Sequence, residues 1–222
     1  NETSRATGSR WGAVQGYSSP RDVTMPAAGF VLHISVTQDP DDLAGHEDES
    51  MRVIERIGEE RFGLGFPYNA AVFDTGRLYE GQPLTRRGAH TVNERGTPGY
   101  PRDMNYGWRA LCLPQLVADV VTDAQVDGAA RWAAAQIRGR LAVSGAVWSG
   151  HRDYAFKACP GDNGYARIPE LNALTRYYEA VGLEPNPIPP PIVEELPEMF
   201  LYSSPGKPAF FCHAGKSVGL NE

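Results

Sequence analysis

Apolar residues fall along this chain in two rhythms, and each rhythm predicts an element. Residues 29–37, GFVLHISVT, form a near-continuous apolar run, the pattern of a strand buried on both faces. Period-two alternation puts His33 on the face shared with Val31 and Ser35, opposite Leu32 and Ile34. Residues 68–82, YNAAVFDTGRLYEGQ, hold two strand-like runs around Asp-Thr-Gly, a hairpin signal. NYGWRALCL at 105–113 and GAVWSGH at 145–151 predict two further strands. The second rhythm is helical. Within 46–63, Val53, Ile54 and Ile57 take one side and charges take the other. Thr122 to Gln125 is a capping-box pattern, and Val126, Ala130, Ala133, Ile137 and Leu141 recur behind it at helical spacing. A third helix is predicted near Pro169, with Leu171, Leu174, Tyr178 and Val181 as its stripe and Gly182 as its stop. Interleaved strands and helices give an α/β fold: a mixed central β-sheet flanked by helices.

The flanks read differently. Residues 1–28 are rich in Ser, Gly, Pro and Ala and predict an extended N-terminal segment. The folded domain is expected over 29–183. EPNPIPPPIVEELPE at 184–198 is a Pro-rich, semi-rigid linker. Residues 199–222 are too few for a core of their own and read as the truncated start of a C-terminal module. Inside the domain, 83–104 is a Gly/Pro/Arg-rich loop, long enough to be functional or disordered.

Composition narrows the classes. The chain has 222 residues, with 21 basic and 27 acidic side chains and a net charge of −6. That acidity argues against holding a nucleic acid by phosphate neutralisation. No apolar run approaches the ~20 residues that span a bilayer, so no membrane insertion is expected. Three cysteines are too few for a disulfide framework and point to synthesis under reducing conditions. The first residues, NETSRATGSR, contain no apolar signal-peptide core, so synthesis in a cytoplasm without a signal peptide is expected.

Two features suggest chemistry. An imidazole inside an apolar run needs a partner, so His33 is either a core histidine bonded to a carbonyl or a metal ligand. The segment GHRDYAFKACPG at 150–161 brings His151, Lys157 and Cys159 close in sequence. Imidazole plus thiolate is a natural zinc pair, and a third ligand such as His33 would leave one tetrahedral position open. The same spacing also describes a loop with a surface His and a buried Cys. Asp153 either orients a ligand or pairs with Arg152. Cys112 reads as a small buried side chain and His46 as a surface residue.

HISVT at 33–37, PYNAAVFDTGRLYEG at 67–81, GAHT at 88–91, NYGWRALCL at 105–113 and GHRDYAFKACPG at 150–161 occur in a telling order. Over about residues 28–182 the chain resembles the zinc-dependent N-acetylmuramoyl-L-alanine amidases. This family includes phage lytic enzymes (endolysins) and the peptidoglycan-recognition proteins. The resemblance implies a Zn2+ ion held by His33, His151 and Cys159, a tyrosine beside the metal at Tyr68, and a catalytic lysine at Lys157. It places His90 along the substrate groove. It implies hydrolysis of the amide between N-acetylmuramic acid and L-alanine, with a muramyl peptide of peptidoglycan as substrate and a monomer as the working unit. Asn69 follows the tyrosine where many members have histidine. Stem peptides carry carboxylates, which suit the guanidinium groups of Arg86 and Arg87, with Arg95 and Arg102 nearby in the loop. Tyr100, Tyr106 and Trp108 would stack on sugars or pack in the core. The alternatives are a peptidoglycan-binding protein without catalysis, whose relatives typically lose the cysteine, and a zinc hydrolase cutting within the stem peptide. The second alternative calls for a ligand pattern such as two His at i, i+4, which the sequence lacks.

Overall fold

The computed structural model describes residues 11–13, 22–36 and 46–182, together with the backbone of three short strands after residue 199. The chain divides into two compact units, Asn1–Pro185 and Asn186–Glu222. The predicted linker at 184–198 lies outside the described residues, as does most of the N-terminal segment.

The first unit is built on a five-stranded sheet. Its strands are β1 (Gly29–Ile34), β2 (Ala70–Val72), β3 (Leu78–Glu80), β4 (Trp108–Leu113) and β5 (Trp148–Gly150), in the order β3-β2-β4-β1-β5. β1 runs parallel to both β4 and β5, and β2 runs parallel to β4. β3 pairs antiparallel with β2 through the Asp-Thr-Gly hairpin. The sheet is therefore mixed, as the sequence pattern predicts. Every residue of β1 is buried, as expected for a central parallel strand covered on both faces.

One face of the sheet meets two long helices, α2 (Asp123–Arg138) and α4 (Ile168–Val181). Phe30, Leu32 and Ile34 enter the main core there with Trp132, Ala133, Ile137, Leu171 and Tyr178. Helix α1 (Glu47–Phe62) belongs to the second core. Its Met51 and Ile54 join Ala71, Phe73, Cys112 and Phe66, and Trp11 of the N-terminal segment closes the cluster. The Trp11 indole N–H donates to the Glu80 carbonyl at 3.1 Å. Burial of Cys112 matches its sequence reading.

Element ends follow local chemistry. The capping box of α2 is formed: Gln125 N–H donates to Thr122 Oγ1 at 3.1 Å, and Thr122 N–H donates to Gln125 Oε1 at 2.9 Å. The apolar stripe predicts a helix reaching Leu141, but α2 stops at Arg138. Gly139 follows, and Arg140 takes a positive φ of 58° that a continuing helix cannot accommodate. β1 ends at Ile34 rather than residue 37, with Val36 at φ 57°. β4 starts late because residues Met104–Tyr106 form a 3-10 turn capped by Asp103. A short helix, α3 (Gly161–Ala166), lies in the segment GDNGYA, which carries no apolar stripe.

The second unit contains a three-stranded antiparallel sheet of β6 (Phe200–Tyr202), β7 (Phe210–His213) and β8 (Lys216–Gly219). Among the described residues no helix is long and apolar enough to cross a membrane.

Candidate metal centre

Parallel pairing sets the site. Leu32 of β1 lies opposite Gly150, the last residue of β5, so the residues that follow them, His33 within β1 and His151 just after β5, emerge at the same carboxyl end of the sheet. Ligands of open α/β sheets collect outside such ends. The two imidazole rings stand 4.5 Å apart between centroids. Cys159 joins them: its Sγ lies 3.7 Å from His33 Nδ1 and accepts the Ile34 N–H at 3.3 Å. One donor atom from each of His33, His151 and Cys159 falls within 4.8 Å of the others. Sulfur and nitrogen donors at ordinary zinc bond lengths around a tetrahedral ion stand about 3.5 Å apart. The 3.7 Å separation and the imidazole–thiolate chemistry therefore fit such an ion, with three protein donors and one position open.

The segment between His151 and Cys159 is braced at several points. His151–Asp153 form a 3-10 turn directly after β5. Asp153 does not pair with Arg152. Its Oδ2 accepts the Gly150 N–H at 2.8 Å and its Oδ1 accepts the Tyr165 hydroxyl at 2.6 Å, so it fixes the turn that presents His151. Arg152 instead meets Asp162 at 2.8 Å, and its backbone N–H donates to the Cys159 carbonyl at 2.8 Å. Gly150 has no room for a side chain, since a Cβ there would meet the Tyr165 ring at 2.7 Å. Gly161, just beyond Cys159, has φ +78° and would meet the Val117 carbonyl oxygen at 2.4 Å.

Burial tunes the donors. It holds the His33 imidazole well below its ordinary pKa, with the nearby His151 and His90 adding to the effect. His151 is pulled down to about 4, mainly by burial; Glu94 opposes this and Lys157 reinforces it. The Cys159 thiol is pushed up to about 11 by burial, against the Ile34 N–H and the Arg152 charge. At neutral pH the apo site thus offers two neutral imidazoles and a thiol, whose proton a bound cation would displace.

Tyr68 stands 5.2 Å from the His33 ring and His90 stands 5.6 Å from it. Burial raises the Tyr68 phenol well above its usual value, so it remains a hydrogen-bond donor. Burial lowers His90 to about 3, so it remains neutral. Lys157 is exposed, and its charge reaches His151. Arg87 is engaged elsewhere: it donates to the Tyr106 hydroxyl at 2.6 Å, stacks 4.8 Å from that ring and lies 3.9 Å from Asp22. Arg86 is half-buried beside it.

Several supporting residues escaped the sequence reading. Asn69 is a staple: its amide donates to the Gln82 carbonyl at 3.0 Å and its Oδ1 accepts the Ala110 N–H at 3.0 Å. Thr91 bridges two histidines, with Oγ1 3.1 Å from His33 Nε2 and 2.9 Å from His90 Nδ1. Its only signal is adjacency to His90 in GAHT. The loop beyond it is ordered by an isolated bridge between Val92 and Asp103 and leans on the ligand-bearing segment. Arg95 N–H donates to the Tyr154 carbonyl at 2.9 Å, Arg95 Nε to the Ala155 carbonyl at 3.0 Å and Thr97 Oγ1 to the Asp153 carbonyl at 2.7 Å.

No protein-family model matches the sequence, and no curated protein matches it. Solved structures do match. Drosophila peptidoglycan recognition protein SD aligns at TM-score 0.61 and 19% identity, over 74% of this chain and 92% of that one. Peptidoglycan recognition protein LE, solved in complex with tracheal cytotoxin, aligns at TM-score 0.64 and 19% identity, over 76% of this chain and 94% of that one. Drosophila protein LB aligns at TM-score 0.61 and 21% identity, over 73% and 91%. The first unit therefore has the peptidoglycan-recognition-protein fold, the one that the sequence resemblance implies.

Proposed function

We propose that the chain is a zinc-dependent N-acetylmuramoyl-L-alanine amidase that cuts bacterial peptidoglycan as a phage lytic enzyme. The observation that carries this reading is the convergence of His33, His151 and Cys159, whose donor atoms come within 4.8 Å at the carboxyl end of the sheet. A purely recognising protein has no need of a half-buried thiol beside two neutral imidazoles. The fold supports a peptidoglycan ligand: its relative LE is bound to tracheal cytotoxin, a monomeric diaminopimelic acid-type peptidoglycan.

In this reading His33, His151 and Cys159 hold the metal. When bound there, zinc acidifies water and polarises a carbonyl. The protein's own groups do the rest. The Tyr68 phenol, kept protonated by burial, donates toward the amide oxygen as negative charge develops on it. The Lys157 ammonium meets the same charge from the solvent side. His90 lines the groove, and Arg86 and Arg87 grip stem-peptide carboxylates, Arg87 by exchanging its contacts with Tyr106 and Asp22 for the substrate. Residues 29–183 form the catalytic domain, 184–198 a spacer and 199–222 part of a wall-binding unit. The enzyme works as a monomer on the cell wall.

The test is clearance of a peptidoglycan suspension, with and without chelator, followed by mass spectrometry of the released material. Chelator-sensitive clearance with free L-alanine-terminated stem peptides is expected. Co-sedimentation without clearance would identify a non-catalytic binder. Fragments that keep the muramyl–alanine bond would identify a peptidase of the stem.

A further inference from the structure

We infer that Thr91 is a positioning residue for the metal centre, its hydroxyl holding His33 in the tautomer whose Nδ1 lone pair faces Cys159. The inference rests on the metal site of the proposed function and adds the residue that sets its geometry from behind.

His33 is 1% exposed, so both ring nitrogens must be accounted for inside the protein. Nδ1 faces Cys159 Sγ at 3.7 Å, and Nε2 faces Thr91 Oγ1 at 3.1 Å. A neutral imidazole carries one proton. If that proton sat on Nδ1 it would point at the sulfur and close the site to a cation. With the proton on Nε2, His33 donates to Thr91 Oγ1 and its Nδ1 is free to bind metal. The Thr91 hydroxyl must then give its own hydrogen elsewhere, and His90 Nδ1 waits at 2.9 Å. The three groups thus form a chain polarised in one direction: His33 Nε2–H to Thr91 Oγ1, and Thr91 O–H to His90 Nδ1. This leaves His90 protonated at Nε2.

Thr91 is itself fixed. It is 1% exposed. Its N–H donates to Asn105 Oδ1 at 3.1 Å, and its carbonyl accepts Asn105 Nδ2 at 3.1 Å. Asn105 also accepts the His90 N–H at 2.7 Å, and its amide donates to Asp103 Oδ1 at 2.7 Å. The hydroxyl is therefore presented by a rigid frame, the arrangement that outer hydrogen-bond partners of metal-binding histidines require.

The experiment measures zinc affinity of the full chain by competition with a chromophoric chelator, alongside long-range 1H–15N spectra of the histidine rings. Thr91→Val keeps shape and removes the hydroxyl. It is expected to weaken zinc binding about 10- to 100-fold, whereas Thr91→Ser retains wild-type affinity. The zinc-loaded wild type is expected to show His90 protonated at Nε2. Wild-type zinc affinity in folded Thr91→Val, or His90 protonated at Nδ1 in the loaded protein, overturns the inference and leaves the metal site standing. Absence of zinc binding by the wild type removes the metal site and, with it, the role of Thr91. Should Thr91→Val not fold, the serine variant and the wild-type spectra decide.

Discussion

The two faces of strand β1 are built from alternating residues of one short segment, yet they obey different rules. Phe30, Leu32 and Ile34 look into an apolar core closed by Trp132, Leu171 and Tyr178. His33 looks the other way, at Cys159, His151 and Thr91. The first face is specified by volume and tolerates any residue set that fills it. The second is specified by direction, because each polar atom must meet a particular partner. Stability should therefore reside mainly in the first face and chemistry in the second, and substitutions can separate the two.

The largest separation is expected at Cys159→Ser. A hydroxyl is a far weaker zinc ligand than a thiolate, so zinc content and clearing activity should both be lost while circular dichroism stays native. Stoichiometric zinc with full activity in that variant would refute the ligand assignment. Trp132→Ala is the mirror image. Trp132 is 4% exposed and packs 5.4 Å from the Phe30 ring. Its removal should lower unfolding free energy by about 3–5 kcal/mol, with zinc affinity of the folded fraction unchanged. Urea titration and chelator competition on the same sample check both halves.

Lys157→Ala should keep zinc and stability and slow turnover by about 10²-fold, the loss typical of one group acting on a developing oxyanion. An unaltered rate would make Lys157 an ordinary surface cation. Acid distinguishes the faces in another way. His33, His90 and His151 all have folded pKa values below the ordinary 6.5, owing chiefly to burial. The unfolded chain then binds more protons than the native one once the pH drops below about 6.5. The stability contributed by neutral burial is complete above that pH and is lost as the pH falls toward the folded values. Melting of metal-free protein should thus occur at lower temperature at pH 5.5 than at pH 7.5, a window that leaves most carboxylates ionised. Replacing His90 with Gln should flatten the slope. Equal melting temperatures at the two pH values would contradict the burial argument.

The same contrast explains what could be read from the sequence. Phe30, Leu32 and Ile34, the stripes of α2 and α4, and the Thr122 capping box are legible because period and local hydrogen bonding act over a few residues. His33, His151 and Cys159 are legible as candidates because donors of those types stand out against apolar neighbours. Their convergence depends on parallel pairing of β1 with β5, which no local pattern encodes. The roles of Thr91 and Asn69 are not legible for a related reason. A hydroxyl or amide gains its meaning only from the partner that folding brings to it. Arg87 shows the converse: its sequence context suggests a free cation, but the fold occupies it with Tyr106 and Asp22. The apolar pattern overruns the ends of β1 and α2 because it runs on through Val36 and across Arg140 to Leu141, although the backbone turns to positive φ at Val36 and Arg140.

The smallest effect expected belongs to Thr122→Ala, and it sharpens the comparison because it acts on the packed face through polar bonds. Thr122 Oγ1 accepts the Gln125 N–H at 3.1 Å and donates to the Asp74 carbonyl at 2.7 Å. The first bond satisfies an otherwise unpaired amide in the first turn of α2, and the second ties that turn to the β2–β3 hairpin. Losing a cap of this kind costs about 0.5–2 kcal/mol. Because α2 lies across the sheet from His33, zinc affinity should stay at the wild-type value. A fall in zinc affinity that accompanies the loss of stability would mean that the two faces are coupled through the hairpin, and that the division between a packed face and a chemical one is too sharp.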